Sequence, residues 1–113
     1  MTQRIYKGSD VKLNISLLDK TGNPYRVNDV NYFSIKFYTK SIESSIECKY
    51  ENEVYTGIIA GAIQDSAILN SVELDQLERG LLKYSYHIQV SNTAFSDGIY
   101  NEIVEGTTSI YLA

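Results

Sequence analysis

The longest regular pattern of apolar and polar positions runs from Leu74 to Ser91. At its start, Leu74, Leu77 and Leu81 recur at intervals of three and four residues, which is typical of one helical face. After Leu81 the apolar and polar residues alternate, and a period of two is what a strand with one buried face requires. The pattern predicts an inner face of Leu82, Tyr84, Tyr86, Ile88 and Val90, and an outer face of Lys83, Ser85, His87, Gln89 and Ser91.

A short helix is predicted just before this strand. Asn70 precedes Glu73 by three residues, which is the spacing of a capping box with Asn in place of Ser or Thr. We expect the helix to end near Arg79, with Gly80 as its left-handed C-terminal cap. A helix of this length cannot form the crossover of a βαβ unit, so the pattern favours antiparallel strands.

Alternation predicts further strands in the first half of the chain. The segment Val11–Leu18 places Val11, Leu13, Ile15 and Leu17 inward, and Arg4–Tyr6 is predicted as a short edge strand. Asp19–Pro24 has the composition of a turn, because Gly and Asn tolerate positive φ. In Val30–Lys40 we expect Phe33, Ile35 and Phe37 on the inner face and Tyr32, Ser34, Lys36 and Tyr38 on the outer face. Ile46, Cys48 and Tyr50 alternate with Glu47, Lys49 and Glu51 and predict one more strand.

Two segments in the second half are less regular. Gly57–Leu69 is apolar without a clean period, and both a buried strand pair and a mobile apolar loop remain open for it. Ile99–Val104 and Thr108–Leu112 predict a closing hairpin around Glu105-Gly106-Thr107. With about seven strands and one short helix, the chain is predicted to be all-β, a single antiparallel β-sandwich domain that spans residues 1–113.

The composition excludes several classes of partner. The net charge is −4 and the ten basic residues are scattered, whereas a nucleic-acid surface needs clustered Lys and Arg. No apolar run approaches the roughly 20 residues that span a bilayer, and the segment Met1–Asp10 lacks the apolar core of a signal peptide. We therefore expect a soluble product made in the cytoplasm, without nucleic-acid or membrane partners.

The residues that could carry chemistry are few. His87 is the single histidine and Cys48 the single cysteine, and the alternation places them on opposite faces of the predicted sheet. No G-x-S-x-G nucleophile motif is present. The acidic residues Glu47, Glu51 and Glu53 lack the glycine-centred spacing of a calcium loop and are interpreted as a solvated strand face. The sequence therefore predicts no catalytic residue, no metal site and no cofactor.

Tyrosines and isoleucines are the candidates for an interaction surface. Tyrosine offers a large rigid area with a polar tip and is common at the centre of protein interfaces, and it can also stack on sugars. Tyr84 and Tyr86 are assigned to the core by alternation. The candidate interface consists of exposed tyrosines together with isoleucines of the apolar segment: Tyr32, Tyr38, Ile58, Ile59, Ile63 and Tyr111.

Three stretches resemble the N-terminal domain of phage baseplate upper proteins. DVKLNISLLDKTGNPY (Asp10–Tyr25) is similar to that family's opening strand and Gly-Asn-Pro turn, and VELDQLERGLLKYSYHIQV (Val72–Val90) to its short helix, glycine and Tyr-x-Tyr strand. Thr108–Leu112 falls where the family's last strand does. The resemblance implies an immunoglobulin-like sandwich that serves as a structural or attachment module of a virion, with no catalytic residues to carry over.

The resemblance leads to an expected function. It is a non-enzymatic virion protein that docks on other virion proteins in an oligomeric assembly, as a capsid decoration or a tail or baseplate component. Such a protein would be located in the virion after synthesis in the host cytoplasm. The alternative is a carbohydrate-binding or adhesin module of a bacterial surface protein, in which the exposed tyrosines would contact glycans.

Overall fold

The protein is an all-β sandwich, seen in a computed structural model that describes residues 3–6 and 8–113. Met1, Thr2 and Lys7 of the segment Met1–Asp10 lie outside the described residues. The strands are β1 Gln3–Ile5, β2 Val11–Ile15, β3 Leu17–Leu18, β4 Pro24–Tyr25, β5 Tyr32–Tyr38, β6 Ile46–Glu51, β7 Val54–Thr56, β8 Ile58–Ala60, β9 Asp65–Leu69, β10 Gly80–Ser91 and β11 Ile99–Leu112. A 3-10 turn spans Val27–Asp29, and the helix α1 spans Ser71–Leu74.

The strands form two facing layers. One layer is a six-stranded sheet with the order β1-β11-β10-β5-β6-β7, in which β1 pairs parallel to β11 and every other pair is antiparallel. The other layer contains a three-stranded sheet of order β2-β9-β8 and the short pair β3-β4. Leu13 and Ile15 of β2 line one cavity together with Phe33 and Ile35 of β5, so apolar side chains of the two layers meet there.

Alternation predicted the two central strands of the larger sheet correctly. Phe33, Ile35 and Phe37 are buried, whereas Lys36 between them is exposed. Ser34 is the exception on the outer face, because its hydroxyl donates to the Glu47 carboxylate at 2.6 Å and is covered by it. In β10 the inward Leu82 and Ile88 are almost fully buried. Burying such side chains is the main driving force for folding, at roughly 1.5–3 kcal/mol each.

The predicted closing hairpin is wrong. Ile99–Leu112 is one continuous strand, and it pairs with β10 on both sides of Gly106. A Cβ atom on Gly106 would lie 2.5 Å from the hydroxyl oxygen of Tyr84, on the opposite strand. The glycine therefore makes room for an aromatic ring that lies across the neighbouring backbone, and it forms no turn.

The predicted helix is shorter than expected. Asn70 caps it as predicted, with its side-chain oxygen accepting the Glu73 N–H at 2.9 Å. The helix itself ends at Leu74, and the Leu77 N–H bonds to the Leu74 carbonyl in a tighter 3-10 pattern. Gly80 is not its cap: with φ of +152° it opens β10 opposite Leu112.

The irregular segment Gly57–Leu69 is a strand pair, β8 and β9. Gly57 has a φ of +70°, a left-handed value that glycine adopts without strain, and it leads the chain from β7 into β8. All of β9 except Ile68 is buried, including Asp65 and Ser66. Of the two interpretations left open, the structure has the strand pair, but only β9 is mostly buried, whereas β8 buries Ile58 and exposes Ile59 and Ala60.

Candidate functional site

The residues predicted to form an interface lie in three separate places. Tyr32 and Tyr38 are half-buried on the outer face of β5, and Tyr111, 38% exposed, stands near the end of β11 under the Arg4 guanidinium. Ile59 and Ile63, on the β8–β9 hairpin, are 54% and 89% exposed. Ile58 of the same hairpin is 6% exposed and packs in the core, so it contributes no surface. Among the candidates with a largely exposed side chain, Ile59 and Ile63 thus share one hairpin.

An ion pair holds the β8–β9 hairpin against the rest of the fold. The Arg26 guanidinium donates to the Asp65 carboxylate at 2.7 Å and to the Gly61 carbonyl at 2.8 Å. The second oxygen of Asp65 accepts the buried Val27 N–H at 2.9 Å. Burial alone would raise the pKa of Asp65, but the hydrogen bonds from Arg26 and Val27 outweigh it and lower the pKa. The turn that carries Ile63 is therefore fixed by charged hydrogen bonds on its inner side.

The outer face of the six-stranded sheet carries a small polar cluster. Asn101 Oδ1 accepts a hydrogen bond from Gln89 Nε2 at 3.0 Å and lies 2.9 Å from His87 Nε2. The ring of Tyr32 meets the His87 ring edge to face, with 5.6 Å between the centroids. Asparagine, glutamine and histidine side chains beside an aromatic ring can bind sugar hydroxyls, so this cluster is the part of the outer face suited to a glycan.

Cys48 and His87 do not form a reactive pair. Cys48 lies opposite Ile35 on the inner face, whereas His87 lies opposite Ser34 on the outer face. Burial raises the pKa of the Cys48 thiol to about 11, which keeps it protonated and a poor nucleophile near neutral pH. Over residues 3–6 and 8–113, no three His, Cys, Asp or Glu side chains are grouped in a way that could hold a metal ion.

A cavity between the two layers is the feature that sequence reasoning missed. Its volume is about 300 Å³, and its lining is mostly apolar. The lining includes Leu13 and Ile15 of β2 together with Tyr84, Tyr86 and Thr108 of β10 and β11. The cavity lies beside β2, which is the end strand of its sheet. Tyr84 and Tyr86, assigned to the core by alternation, are half-buried because they face this cavity.

One signal in the sequence pointed toward this opening. The residues of β11 opposite the inward side chains of β10 are Tyr100, Glu102, Val104 and Gly106, a set that includes a charge and a glycine. A strand with such a face is a poor match for a fully covered core position. The alternation of β11 was therefore already weaker than that of β10.

Comparison with known proteins yields no relative. No family model matches the chain, and no curated protein or solved structure matches it either. None of the helices in the described parts of the chain is long and apolar enough to cross a membrane.

Proposed function

We propose that this protein is a non-enzymatic structural or accessory component of a phage virion that docks on other virion subunits. The proposal starts from the resemblance of Asp10–Tyr25 and Val72–Val90 to baseplate upper protein domains. In this proposal the sandwich is of the immunoglobulin-like type, and the protein acts as a capsid decoration or as a tail or baseplate part.

The observation that carries the proposal is the pair of exposed isoleucines on the anchored hairpin. Ile63 is 89% exposed although the Arg26–Asp65 ion pair fixes the turn beneath it. Apolar side chains that form one contiguous exposed patch are typical of protein contact sites, and Ile59 and Ile63 lie on the same hairpin. A fixed turn also loses little conformational freedom on binding, which favours affinity.

Cosedimentation with purified phage particles tests the proposal. Particles of the phage that encodes the protein are prepared without it, mixed with the tagged chain and sedimented. We expect the wild type to sediment with the particles and the double variant Ile59→Asp/Ile63→Asp to stay in solution. The matched control is Ile103→Asp, which adds a charge on the outer face of β11 at an isoleucine whose exposure, 68%, lies between those of Ile59 and Ile63. A wild type that remains monomeric by light scattering and binds no virion component would contradict the proposal.

The second candidate function is glycan binding by a carbohydrate-binding or adhesin module. The hydrogen-bonded cluster of Gln89, His87 and Asn101 beside Tyr32 favours it. A glycan array probed with the wild type and with Asn101→Ala separates the two candidates. Glycan signals that disappear in Asn101→Ala would support this function, and an empty array would leave docking as the better proposal.

A further inference from the structure

The free edge of β2 offers unpaired backbone groups next to the cavity. The Ile68 N–H donates to the Gly57 carbonyl at 2.8 Å, so Ile68 directs its backbone groups toward β8. Lys12 lies opposite Ile68 across the β2–β9 pair. Because backbone groups alternate along antiparallel strands, Lys12 and Asn14 direct their N–H and C=O groups away from β9. In the described residues, no strand pairs with that side of β2.

The inner face of the larger sheet is incompletely covered beside this edge. That sheet has six strands, whereas the sheet that contains β2 has three. Tyr84 and Tyr86 are half-buried, and so are Gly106 and Val104 opposite them on β11. The two tyrosine rings stack with 6.2 Å between their centroids and an interplanar angle of 12°, and they form the apolar floor of the cavity. A strand placed next to β2, about 4.8 Å away, would lie over this floor and direct every second side chain into the cavity.

A second cleft lies next along the same strands, since Leu17 and Tyr86 line the cavity whereas Leu18 and Ile88 line the cleft. We call the cavity and this cleft together the groove, and the carboxylates of the cleft its acidic rim.

The acidic rim at one end of the groove indicates the charge of the strand that fits. Asp19, Asp29 and Glu102 line the cleft that adjoins Leu18, and Lys20 is the basic residue of the same lining. The Thr21 hydroxyl and backbone N–H groups hydrogen-bond to Asp19 and lower its pKa, which keeps its charge. Because the cleft carries three carboxylates and one ammonium group, its excess negative charge favours a lysine or arginine at that end of the partner strand.

A second copy of this chain fits the groove less well. The edge strands that it could offer from the two larger sheets of the described residues are β1, β2, β7 and β8, and an apolar side chain of each already packs against its own core: Ile5, Leu13, Tyr55 and Ile58. Edge-to-edge pairing with such a strand would therefore satisfy backbone groups but leave the cavity unfilled.

From these contacts we infer that β2 accepts an extended segment of a partner protein by β-strand addition, which completes the smaller layer of the sandwich. The segment has alternating apolar residues that enter the cavity over Tyr84 and Tyr86, and a basic residue that meets the acidic rim at Glu102. The inference rests on the proposed docking function where it takes the partner to be a virion subunit. The groove itself is independent of the Ile59 and Ile63 surface.

Selection from a displayed library of random nine-residue peptides on the full-length protein tests the inference. We expect the selected peptides to alternate apolar and polar residues and to carry Lys or Arg near one end. Each peptide is then synthesised together with a matched control of identical side chains, N-methylated at the residues that would bond to β2. N-methylation should weaken binding at least tenfold. Glu102→Gln should weaken the binding of peptides with a basic end about threefold and reduce its dependence on salt.

Hydrogen exchange measured by NMR locates the bound peptide. The amide protons of Lys12 and Asn14 should exchange at least tenfold more slowly in the complex, whereas that of Leu13, already bonded to β9, should not change. The inference is overturned if no peptide is enriched, if the N-methylated controls bind equally well, or if these amides stay unprotected. It is also overturned if light scattering shows a dimer of the free protein in which Lys12 and Asn14 are already protected. Loss of the peptide site alone would leave the cosedimentation result through Ile59 and Ile63 unaffected, so the two proposals fail separately.

Discussion

The Arg26–Asp65 ion pair leads to a stability prediction that can be worked from the contacts. Asp65 is 2% exposed, and its two carboxylate oxygens accept from the Arg26 guanidinium and from the Val27 N–H. Asp65→Ala removes both acceptors and leaves the fully buried Val27 with an unpaired donor. Asp65→Asn keeps an oxygen of the same size for Val27 but loses the charge, so comparing the variants separates the two contributions.

The magnitude follows from the burial of each partner. A buried N–H left without a partner costs about 1–3 kcal/mol. Breaking a fully buried ion pair costs about 3–5 kcal/mol, but the Arg26 side chain is 31% exposed and can be rehydrated, so its share is smaller. We expect Asp65→Ala to lower the free energy of unfolding by about 2–4 kcal/mol, and Asp65→Asn by about 1–2 kcal/mol. For the larger effect, the corresponding drop in Tm is on the order of 10 °C.

Urea unfolding followed by circular dichroism provides the assay, first at pH 7 and then at decreasing pH. The pKa of Asp65 in the folded protein lies below its ordinary value of 3.8. A carboxyl group with a lowered pKa stabilises the fold fully above its unfolded value, and this contribution is lost as the pH falls through the folded value. The gap between the wild type and Asp65→Asn should therefore narrow below about pH 4. Equal midpoints for the wild type and Asp65→Ala at pH 7, or a gap that stays constant in acid, would refute the reasoning.

Three further predictions concern single side chains. Gly57→Ala should lower the free energy of unfolding in urea by roughly 2–3 kcal/mol, because its Cβ would combine a φ of +70° with a 3.0 Å contact to Cys48 Sγ. The control Gly22→Ala, with a φ of +85° and open space around the Cβ, should lower it by only about 1 kcal/mol, and equal losses for the two variants would contradict this reasoning. Iodoacetamide at pH 8 should label Cys48 only after unfolding, because burial raises the pKa of its thiol from 9.0 to about 11. The contribution of this raised pKa to the free energy of unfolding is complete below pH 9 and lost by pH 11, and Cys48→Ala should not show that loss. His87→Ala should change the free energy of unfolding in urea by less than about 1 kcal/mol, since the hydrogen bond from His87 to Asn101 is exposed. A larger decrease in that free energy would assign His87 a structural role.

The parts of the fold that were predictable are those where one strand face is fully covered. In β5 the covering layer buries Phe33, Ile35 and Phe37 to 7% exposed or less and leaves Lys36 exposed, and in β10 it buries Leu82 and Ile88. Tyr84 and Tyr86 lie where that cover is missing, and they are half-buried like their neighbours in the strand. The cap at Asn70 was predictable for a similar reason, because a cap involves only residues that are neighbours in sequence.

The parts that were not predictable depend on contacts between distant residues. Gly106 indicated a turn because its actual reason, the Tyr84 ring across the ladder, lies 22 positions away in the sequence. β9 showed no period because Asp65 and Ser66 are buried with polar partners that are distant in the sequence, namely Arg26 and Asn14. The groove beside β2 follows from the order of strands in a sheet, which the alternation along one strand does not contain.

The parallel pairing of β1 with β11 has a mechanical consequence. The two strands run side by side through Gln3–Ile5 and Ile110–Leu112, and the Ala113 N–H donates to the Ile5 carbonyl. A tensile force applied between the two ends of the chain pulls these strands in opposite directions along their common axis. Their hydrogen bonds are then stretched in shear, all at once, whereas bonds peeled from one end break in sequence. The sheet edge at β1 and β11 therefore joins the two ends of the chain in the geometry that best resists extension.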